Sequence, residues 1–417
     1  MAARIGKLRA LAASVAVVLA LGSACSDGGN PEVQKPNGDA GGSGGGGGVG
    51  GKPDSGSEDG PPDAGSDADA TDAPPSPLRL GIIPVPPSKG DAGPSAADDK
   101  LAELDVLALG SRGVSHVVRW DALFSSPSVP SPTAWQKLQG SAQLYQSSAR
   151  AFLLSVALVD RTLDARPSGS PAGWNSVATR TALDALIDKV FDSFGDELYA
   201  LSFGNDLDRY LAGQSATTAD DLTALVEHGL DYAKQHPSRP AALLVGATFS
   251  SDALAKGPTA SMAKILMKSD VVVANYYALD EQFQARPTTQ VAQDLDALSS
   301  GGTADAGEAG AARPVLLQEV GYPSAAENGS SPEQQRAFYQ GLFQALTTRR
   351  ERFPFVSVNG LHDPPPARCA TEAAAFGAAA NGAAVAARCS LGLRAADQTA
   401  KPALSSVLEA LAAFANP

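Results

Sequence analysis

The stretch Leu198-Tyr199-Ala200-Leu201-Ser202-Phe203 is a short apolar run, and Gly204-Asn205-Asp206 follows it at once. Similar runs recur along the chain, and longer amphipathic segments separate them, as expected for a parallel sheet with crossover helices. The eight predicted strands cover residues 78–85, 115–119, 151–156, 198–203, 241–246, 271–276, 314–319 and 355–360. Eight strand-helix units favour the α/β class and a (β/α)8 TIM barrel formed by residues 78–417.

The alternative fold is an open, doubly wound sheet. Such a sheet has a glycine-rich turn after its first strand when it binds a dinucleotide, but here the first run continues into Pro84-Val85-Pro86-Pro87. The barrel is therefore favoured. In a barrel the functional residues lie at the C-terminal ends of the strands, so site residues are expected there.

The N-terminus has the order of a bacterial secretory signal. Basic residues precede an apolar run over residues 10–21, which is shorter than the roughly 20 residues of a membrane-spanning helix. Leu21-Gly22-Ser23-Ala24-Cys25 resembles the lipobox of bacterial lipoproteins, which implies a signal peptide over residues 1–24 and a lipid on Cys25. Ordinary signal cleavage is the alternative. We expect a cell-envelope location, with the outer membrane or cell surface favoured over the inner membrane because Ser26 follows the cysteine.

Residues 25–77 have the composition of a disordered tether. Gly, Asp, Ser, Pro and Ala dominate, so little apolar surface offsets the entropy cost of ordering. Ten carboxylates in the tether face two lysines, and the carboxylates are Asp27, Glu32, Asp39, Asp54, Glu58, Asp59, Asp63, Asp67, Asp69 and Asp72. The tether thus carries most of the net charge of −13, and this acidic balance argues against nucleic acid as a partner.

Two cysteines remain once Cys25 is assigned to lipid. Cys369 and Cys389 are spaced for a disulfide that closes a loop of about 20 residues and contributes roughly 3 kcal/mol in the chain-entropy model. A metal site is the alternative, but the chain has four histidines and only His362 is close in sequence. The disulfide is favoured, and neither a metal nor a cofactor is expected.

Two strand ends resemble those of the large clan of retaining glycoside hydrolases with barrel folds. Gly204-Asn205-Asp206 after strand 4 is similar to the clan's Gly-Asn-Glu, whose Glu is the general acid/base, so Asp206 stands where Glu is expected. Gln318-Glu319-Val320-Gly321 on strand 7 resembles the nucleophile strand and implies that Glu319 is the nucleophile. Retaining hydrolysis needs two carboxyl groups about 5 to 5.5 Å apart, and these strands lie on opposite sides of a barrel mouth.

The resemblance implies roles for further residues. Arg119 after strand 2 would pair with the nucleophile, and Tyr276 or Tyr277 after strand 6 would orient it. Asn205 would donate to the sugar 2-hydroxyl. The plain alternatives are a rim arginine and packing of the aromatic rings.

The chain also departs from the clan's pattern. Asp is shorter than Glu, so the carboxyl of Asp206 retreats by roughly 1.5 Å, a displacement that can cost on the order of 100-fold in rate. The strand-8 tryptophan is missing, and His362 and Asp363 follow that strand, where they line the site or form a loop turn. Trp120, beside Arg119, is the best candidate for a sugar platform.

Three interpretations remain: a weak or unusual glycoside hydrolase, a glycan-binding protein on the same barrel at the cell envelope, and an unrelated barrel. A carboxyl separation near 5.5 Å favours hydrolysis, whereas an Asp206 that caps a helix favours binding. Burial of Glu319 in an ion pair away from any cleft favours the third interpretation. We expect a carbohydrate partner, membrane contact through the lipid alone, and a monomer.

Overall fold

The computed structural model describes residues 78–87, 94–148, 150–301 and 313–415. Within these ranges, eight parallel strands alternate with eight principal helices. The strands are β1 Arg79–Ile82, β2 Gly113–Arg119, β3 Ala151–Asp160, β4 Leu198–Asn205, β5 Leu244–Ser250, β6 Val271–Tyr277, β7 Val315–Gly321 and β8 Phe355–Val358. The helices are α1 Ala96–Ala108, α2 Pro132–Ser147, α3 Val177–Phe194, α4 Ala216–Gln235, α5 Ala260–Lys268, α6 Val291–Gly301, α7 Pro332–Thr347 and α8 Pro402–Ala415. The predicted signal peptide, the Cys25 lipid site and the tether lie outside the described residues.

Shorter elements join these units. The short helices are Trp120–Leu123, Leu207–Ala212, Ser251–Lys256, Pro366–Ala375 and Gly382–Cys389, and the 3-10 turns are Gly195–Glu197, Thr288–Gln290 and Ala326–Asn328. A small hairpin pairs Phe124–Ser126 with Val129–Pro130, and Leu163–Asp164 pairs antiparallel with the end of β3. No helix among the described residues is both long and apolar enough to cross a membrane.

The strands pair in the order β1-β8-β7-β6-β5-β4-β3-β2, and all these pairs are parallel. The predicted α/β class with a parallel sheet is confirmed. The predicted closed barrel is not shown, because no described ladder joins β1 to β2. One backbone bond, from Arg112 N to Leu80 O at 2.9 Å, connects the segments at this seam. The backbones lie close there, since a Cβ on Gly81 would meet the Gly113 carbonyl oxygen at 2.0 Å.

Burial explains why the apolar runs became strands. β6 and β7 are buried along their whole length, because helices cover the outside of the sheet and side chains fill its inside. Serine caps start several helices, as where Ser176 accepts from Thr179 N at α3 and Ser331 accepts from Gln334 N at α7.

Between β8 and α8 the chain forms a helical hairpin over residues 366–389, here named the cap hairpin. The predicted disulfide between Cys369 and Cys389 is confirmed and ties together its two short helices. The hairpin contacts the C-terminal end of β3, where Thr162 N donates to Ala375 O at 3.1 Å. It therefore lies at the end of the sheet where site residues are expected.

Candidate functional site

A layer of polar side chains fills the sheet interior beneath the C-terminal strand ends. Ser202 Oγ and Thr248 Oγ1 lie 2.7 Å apart, and Thr248 Oγ1 donates to Gln318 Oε1 at 3.3 Å. Gln318 Nε2 in turn donates to Asn275 Oδ1 at 3.2 Å. All four side chains are buried, so the hydrogen bonds satisfy groups that water cannot reach. The layer fixes the orientation of Asn275, which reaches the site.

Asn275 holds the end of β4. Its Nδ2 donates to Asn205 Oδ1 and to Asp206 Oδ1, each at 2.7 Å. Asn205 Nδ2 donates to Asp160 Oδ1 at 2.8 Å. The amide group predicted to bind a sugar hydroxyl is therefore placed at the site but already bonded to Asp160. Asn275 itself was not anticipated from the sequence.

Asp206 is held as a hydrogen-bond acceptor. It has a left-handed backbone, with φ of 52°, and precedes the short helix Leu207–Ala212 without a side-chain capping bond to it. Its side chain is 2% exposed, and its Oδ2 lies 3.4 Å from Arg209 Nε. With Asn275 on the other oxygen, the described hydrogen bond and ion pairs of this carboxylate are all with donors.

Glu319 lies on β7 with the setting of a buried, supported carboxylate. Tyr277 Oη donates to Glu319 Oε2 at 2.5 Å, and Arg161 Nη2 lies 3.5 Å from the same oxygen. Burial raises the pKa of Glu319, and Arg161 and Tyr277 oppose that rise. Of the two tyrosines considered, Tyr277 contacts Glu319, whereas the Tyr276 hydroxyl donates to Asp294 away from the site.

Arg161 joins the two candidate carboxylates and was missed from the sequence. Its guanidinium lies 2.9 Å from Asp160, 3.5 Å from Glu319 and 4.0 Å from Asp206. Burial lowers the pKa of Arg161, but the three carboxylates outweigh burial and raise it. The available signal was its place directly after the third apolar run, at a strand end.

Arg119 was predicted to pair with the nucleophile, but the ion pair that the structure describes for it is with Asp121. Arg119 Nη2 lies 2.7 Å from Asp121 Oδ2 in a partly exposed pair at the end of β2. No described contact joins Arg119 to Glu319. The two residues do line the same cavity, so Arg119 is the rim arginine of the alternative interpretation.

The structure also corrects the predicted sugar contacts. Trp120 is fully buried in the core and presents no face to a ligand. His362 is buried too, with Nδ1 2.8 Å from the Val85 carbonyl oxygen, and Asp363 pairs with Lys401 at 2.7 Å. These two residues form a loop turn, as in the plain alternative. Asn359, just before them, does reach the site, since its Nδ2 donates to Tyr277 Oη.

The cap hairpin places Phe376 over three arginines that lie beside the two carboxylates or their partners. Glu319 lines a cavity of about 510 Å³, whereas Asp206 lines another of about 380 Å³. The Phe376 ring centroid lies 4.4 Å from the Arg161 guanidinium, 4.2 Å from that of Arg388 and 5.2 Å from that of Arg209. The two halves of the candidate site thus face separate cavities.

Among the described residues, no group of three or more His, Cys, Asp or Glu side chains is placed to hold a metal ion. The site is therefore built from carboxylates, arginines, amides and one tyrosine at the C-terminal ends of parallel strands. Fold and site together define an α/β protein whose eight parallel strands carry a polar, carboxylate-bearing site at their C-terminal ends.

Comparisons with known proteins agree with this class. No family model and no curated protein matches the sequence. Among solved structures, the GH5_18 protein of Streptomyces cattleya in complex with GlcNAc is similar, with 19% identity, a TM-score of 0.63 and 82% of each chain covered. A GH5_18 variant of Bifidobacterium longum in complex with Manβ1-4GlcNAc has 16% identity and a TM-score of 0.60, over 81% of this chain and 79% of that one. An exo-β-1,4-mannosidase of an Opitutaceae bacterium has 15% identity and a TM-score of 0.58, over 81% of this chain and 59% of that one. At these identities the likeness shows a shared fold.

Proposed function

We propose that this chain is a glycoside hydrolase-like lipoprotein that binds a glycan at the sheet mouth and hydrolyses natural glycosides slowly. The observation that carries the proposal is the environment of Glu319. A tyrosine hydroxyl and a buried arginine hold its carboxylate at the end of β7, on the wall of a cavity. Similar structures in complex with GlcNAc or Manβ1-4GlcNAc support carbohydrate as the ligand class.

The two carboxylates are not equally well placed for their parts in a retaining mechanism. Glu319 would attack the anomeric carbon as the bond to the leaving oxygen breaks, forming a covalent glycosyl-enzyme. Asp206 would give a proton to the leaving oxygen and later take one from water. Because one Asp206 oxygen accepts from Asn275 and the other lies 3.4 Å from Arg209 Nε, both oxygens are already engaged by protein groups and are poorly placed to serve a leaving oxygen. We therefore place the slow step at departure of the leaving group.

A second candidate is glycan binding without turnover. The observation that favours it is Arg161, whose guanidinium contacts both candidate carboxylates. A sugar ring placed between these carboxylates would compete with Arg161 for the same space. In this interpretation Glu319, Asn205 and Arg161 supply hydrogen bonds to hydroxyl groups instead of a reaction path.

We also propose that the sheet is a closed (β/α)8 barrel and that the chain is exported, lipidated on Cys25 and monomeric in the cell envelope. Supporting closure, the backbones of β1 and β2 meet through the bond between Arg112 and Leu80. The lipobox-like sequence supports the anchor. Globomycin treatment of expressing cells, followed by mass measurement of the chain, tests the anchor, because retention of the signal peptide is expected only for a lipoprotein precursor.

The test of activity compares dinitrophenyl glycosides with the corresponding natural disaccharides, using the full chain. A dinitrophenolate leaves without protonation, so the first burst of dinitrophenolate is expected to survive Asp206→Asn and to vanish in Glu319→Gln, while later turnover slows in Asp206→Asn because hydrolysis of the glycosyl-enzyme needs a base. Natural disaccharides are expected to react slowly in the unmodified chain.

The remaining outcomes separate the alternatives. Glycan binding by calorimetry with no turnover of either substrate would favour the second candidate. Failure to bind any saccharide in a broad panel, by a folded chain, would overturn the proposal as a whole. Activity that survives Glu319→Gln would show that the nucleophile is another group.

A further inference from the structure

We propose that Phe376 of the cap hairpin is an intramolecular plug, which covers the arginines beside Asp206 and Glu319 and leaves when a glycan enters. The inference rests on the proposed function for its ligand. Beyond the proposed function, the inference assigns to Phe376 control of access to the site. It also implies an open form of the protein in which the two cavities join.

The first support is the set of partners that surrounds the Phe376 ring. Arg161 contacts Glu319 and Asp206, and Arg209 contacts Asp206. Arg388 stacks on Tyr277, which donates to Glu319, with its guanidinium 4.2 Å from the tyrosine ring centroid. Each of the three arginines on the Phe376 ring therefore also lies against a group of the candidate site.

The second support is the unsatisfied state of Arg388. This residue is 2% exposed, yet its Nε and Nη1 have no hydrogen-bond partner among the described residues. The guanidinium of Arg388 instead makes cation–π contacts with the rings of Tyr277 and Phe376. Hydroxyl groups of a sugar in place of the Phe376 ring would offer acceptors to these donors, so exchange of the ring for a sugar compensates the lost stacking.

The third support is how the hairpin is attached. The disulfide closes the hairpin at its base, from Cys369 to Cys389, and Phe376 follows the first short helix near the tip. Beyond the arginines, the tip contacts Thr162 through Ala375 and packs against Phe283, whose ring centroid lies 6.2 Å from that of Phe376. On the far side of the tip, Asn328 Nδ2 donates to Ala383 O at 2.8 Å, so the residues around Phe376 can move while this bond and the disulfide hold the second helix and the base.

The experiment measures access to Asp206, which lines the same cavity as Phe376, without any glycan. The full chain is treated with a water-soluble carbodiimide and glycine ethyl ester, and the rate of modification of Asp206 is read by mass spectrometry. Phe376→Ala removes three cation–π contacts, so modification is expected to be on the order of tenfold faster than in the unmodified chain. Thr371→Ala, an exposed change on the same hairpin, is expected to leave the rate unchanged.

The same variants are then compared for binding of an oligosaccharide that the unmodified chain binds. Phe376→Ala is expected to bind it on the order of tenfold more tightly, because no ring has to be displaced. An unchanged modification rate in a Phe376→Ala chain, shown to be folded by an unchanged circular dichroism spectrum, would overturn the plug. Faster modification without saccharide binding by any variant would instead keep the plug and reject the proposed function.

Discussion

Arg161 and Arg119 both stand at a strand end, but they contribute differently to the folded state. Arg161 is buried against three carboxylates, whereas Arg119 shares a partly exposed pair with Asp121. We expect Arg161→Met to lower the free energy of unfolding by about 3 to 5 kcal/mol, because buried carboxylates lose their cation. Arg119→Met is expected to change it by less than about 1 kcal/mol. Urea unfolding followed by circular dichroism measures both, and equal losses would contradict this account of Arg161.

The Tyr277 hydroxyl is expected to control the protonation of Glu319. Its hydrogen bond lowers the pKa of a carboxyl that burial raises, so Tyr277→Phe should raise that pKa further. The acid limb of the pH profile for dinitrophenyl glycoside turnover is therefore expected to move to higher pH. Tyr276→Phe is the matched control, because the Tyr276 hydroxyl bonds to Asp294. The same displacement in both variants would show that the effect is not specific to the Glu319 contact.

Asp208 is expected to make the protein more stable in mild acid. Burial and the nearby Asp206 raise the pKa of Asp208 to about 6 from an ordinary 3.8, against hydrogen bonds from Ser250. Between these values the folded chain holds the proton that the unfolded chain has released, so stability falls as pH rises from about 4 to 6. For Asp208→Asn we expect this loss to shrink by up to roughly 3 kcal/mol.

Unfolding free energies at pH 4 and pH 6.5 measure the difference. Burial also raises the pKa values of Glu319, Asp252 and Asp363, so the variant keeps a smaller fall of the same sign. An identical pH dependence in the variant would contradict the assignment to Asp208.

At the scale of elements, the cap hairpin depends on its disulfide. Cys369→Ser together with Cys389→Ser is expected to reduce stability by roughly 3 kcal/mol, because the cross-link no longer restricts the unfolded chain. Scanning calorimetry with and without reductant measures this as a lower melting temperature. Reductant should lower the melting temperature of the unmodified chain and leave that of the double variant unchanged. A reductant effect of equal size in both would point to another cause.

The strands could be predicted from the sequence because each apolar run is buried between the helical layer and the interior. Strand ends were less accurate, and the fifth strand was expected from residue 241 but begins at Leu244. Residues 239–243 form a turn outside the sheet. The Arg239 guanidinium donates to Asp270 there. Local pattern therefore identifies the element, while long-range pairing decides where it begins.

The site could be predicted only in part, for a related reason. The spacing of Asp206 and Glu319 on strands 4 and 7 placed both carboxylates at the mouth, and the structure brings both to Arg161. Which arginine reaches Glu319 depends on the direction of two strand ends, which no local pattern records. Trp120 likewise gave no sign that its ring turns into the core. The position of Phe376 depends on how the cap hairpin folds, and this hairpin is far in sequence from both carboxylate motifs.

At the scale of the whole molecule, the order of the strands places the first and the last described strand side by side. β1 pairs with β8 so that Arg79 lies opposite Phe355, and the ladder runs on through β7 to β2. In place of a ladder, the described residues at the seam between β1 and β2 form the bond from Arg112 N to Leu80 O and a bond from Ile82 N to Ser111 Oγ. The most distant parts of the sequence thus form one of the principal contacts of the sheet.

The pairing of β1 with β8 affects the order in which the strands can assemble during synthesis. A ribosome releases β1 before the other described strands, and among the described residues its ladder partner is β8, which is released after them. The first strand therefore stays unpaired until the other seven strands have emerged, a high-contact-order assembly that is slow and exposed to misassociation. A chaperone that binds the nascent chain would protect the unpaired β1 from misassociation during this time. In a chain cut short before residue 355, β1 would have no ladder partner.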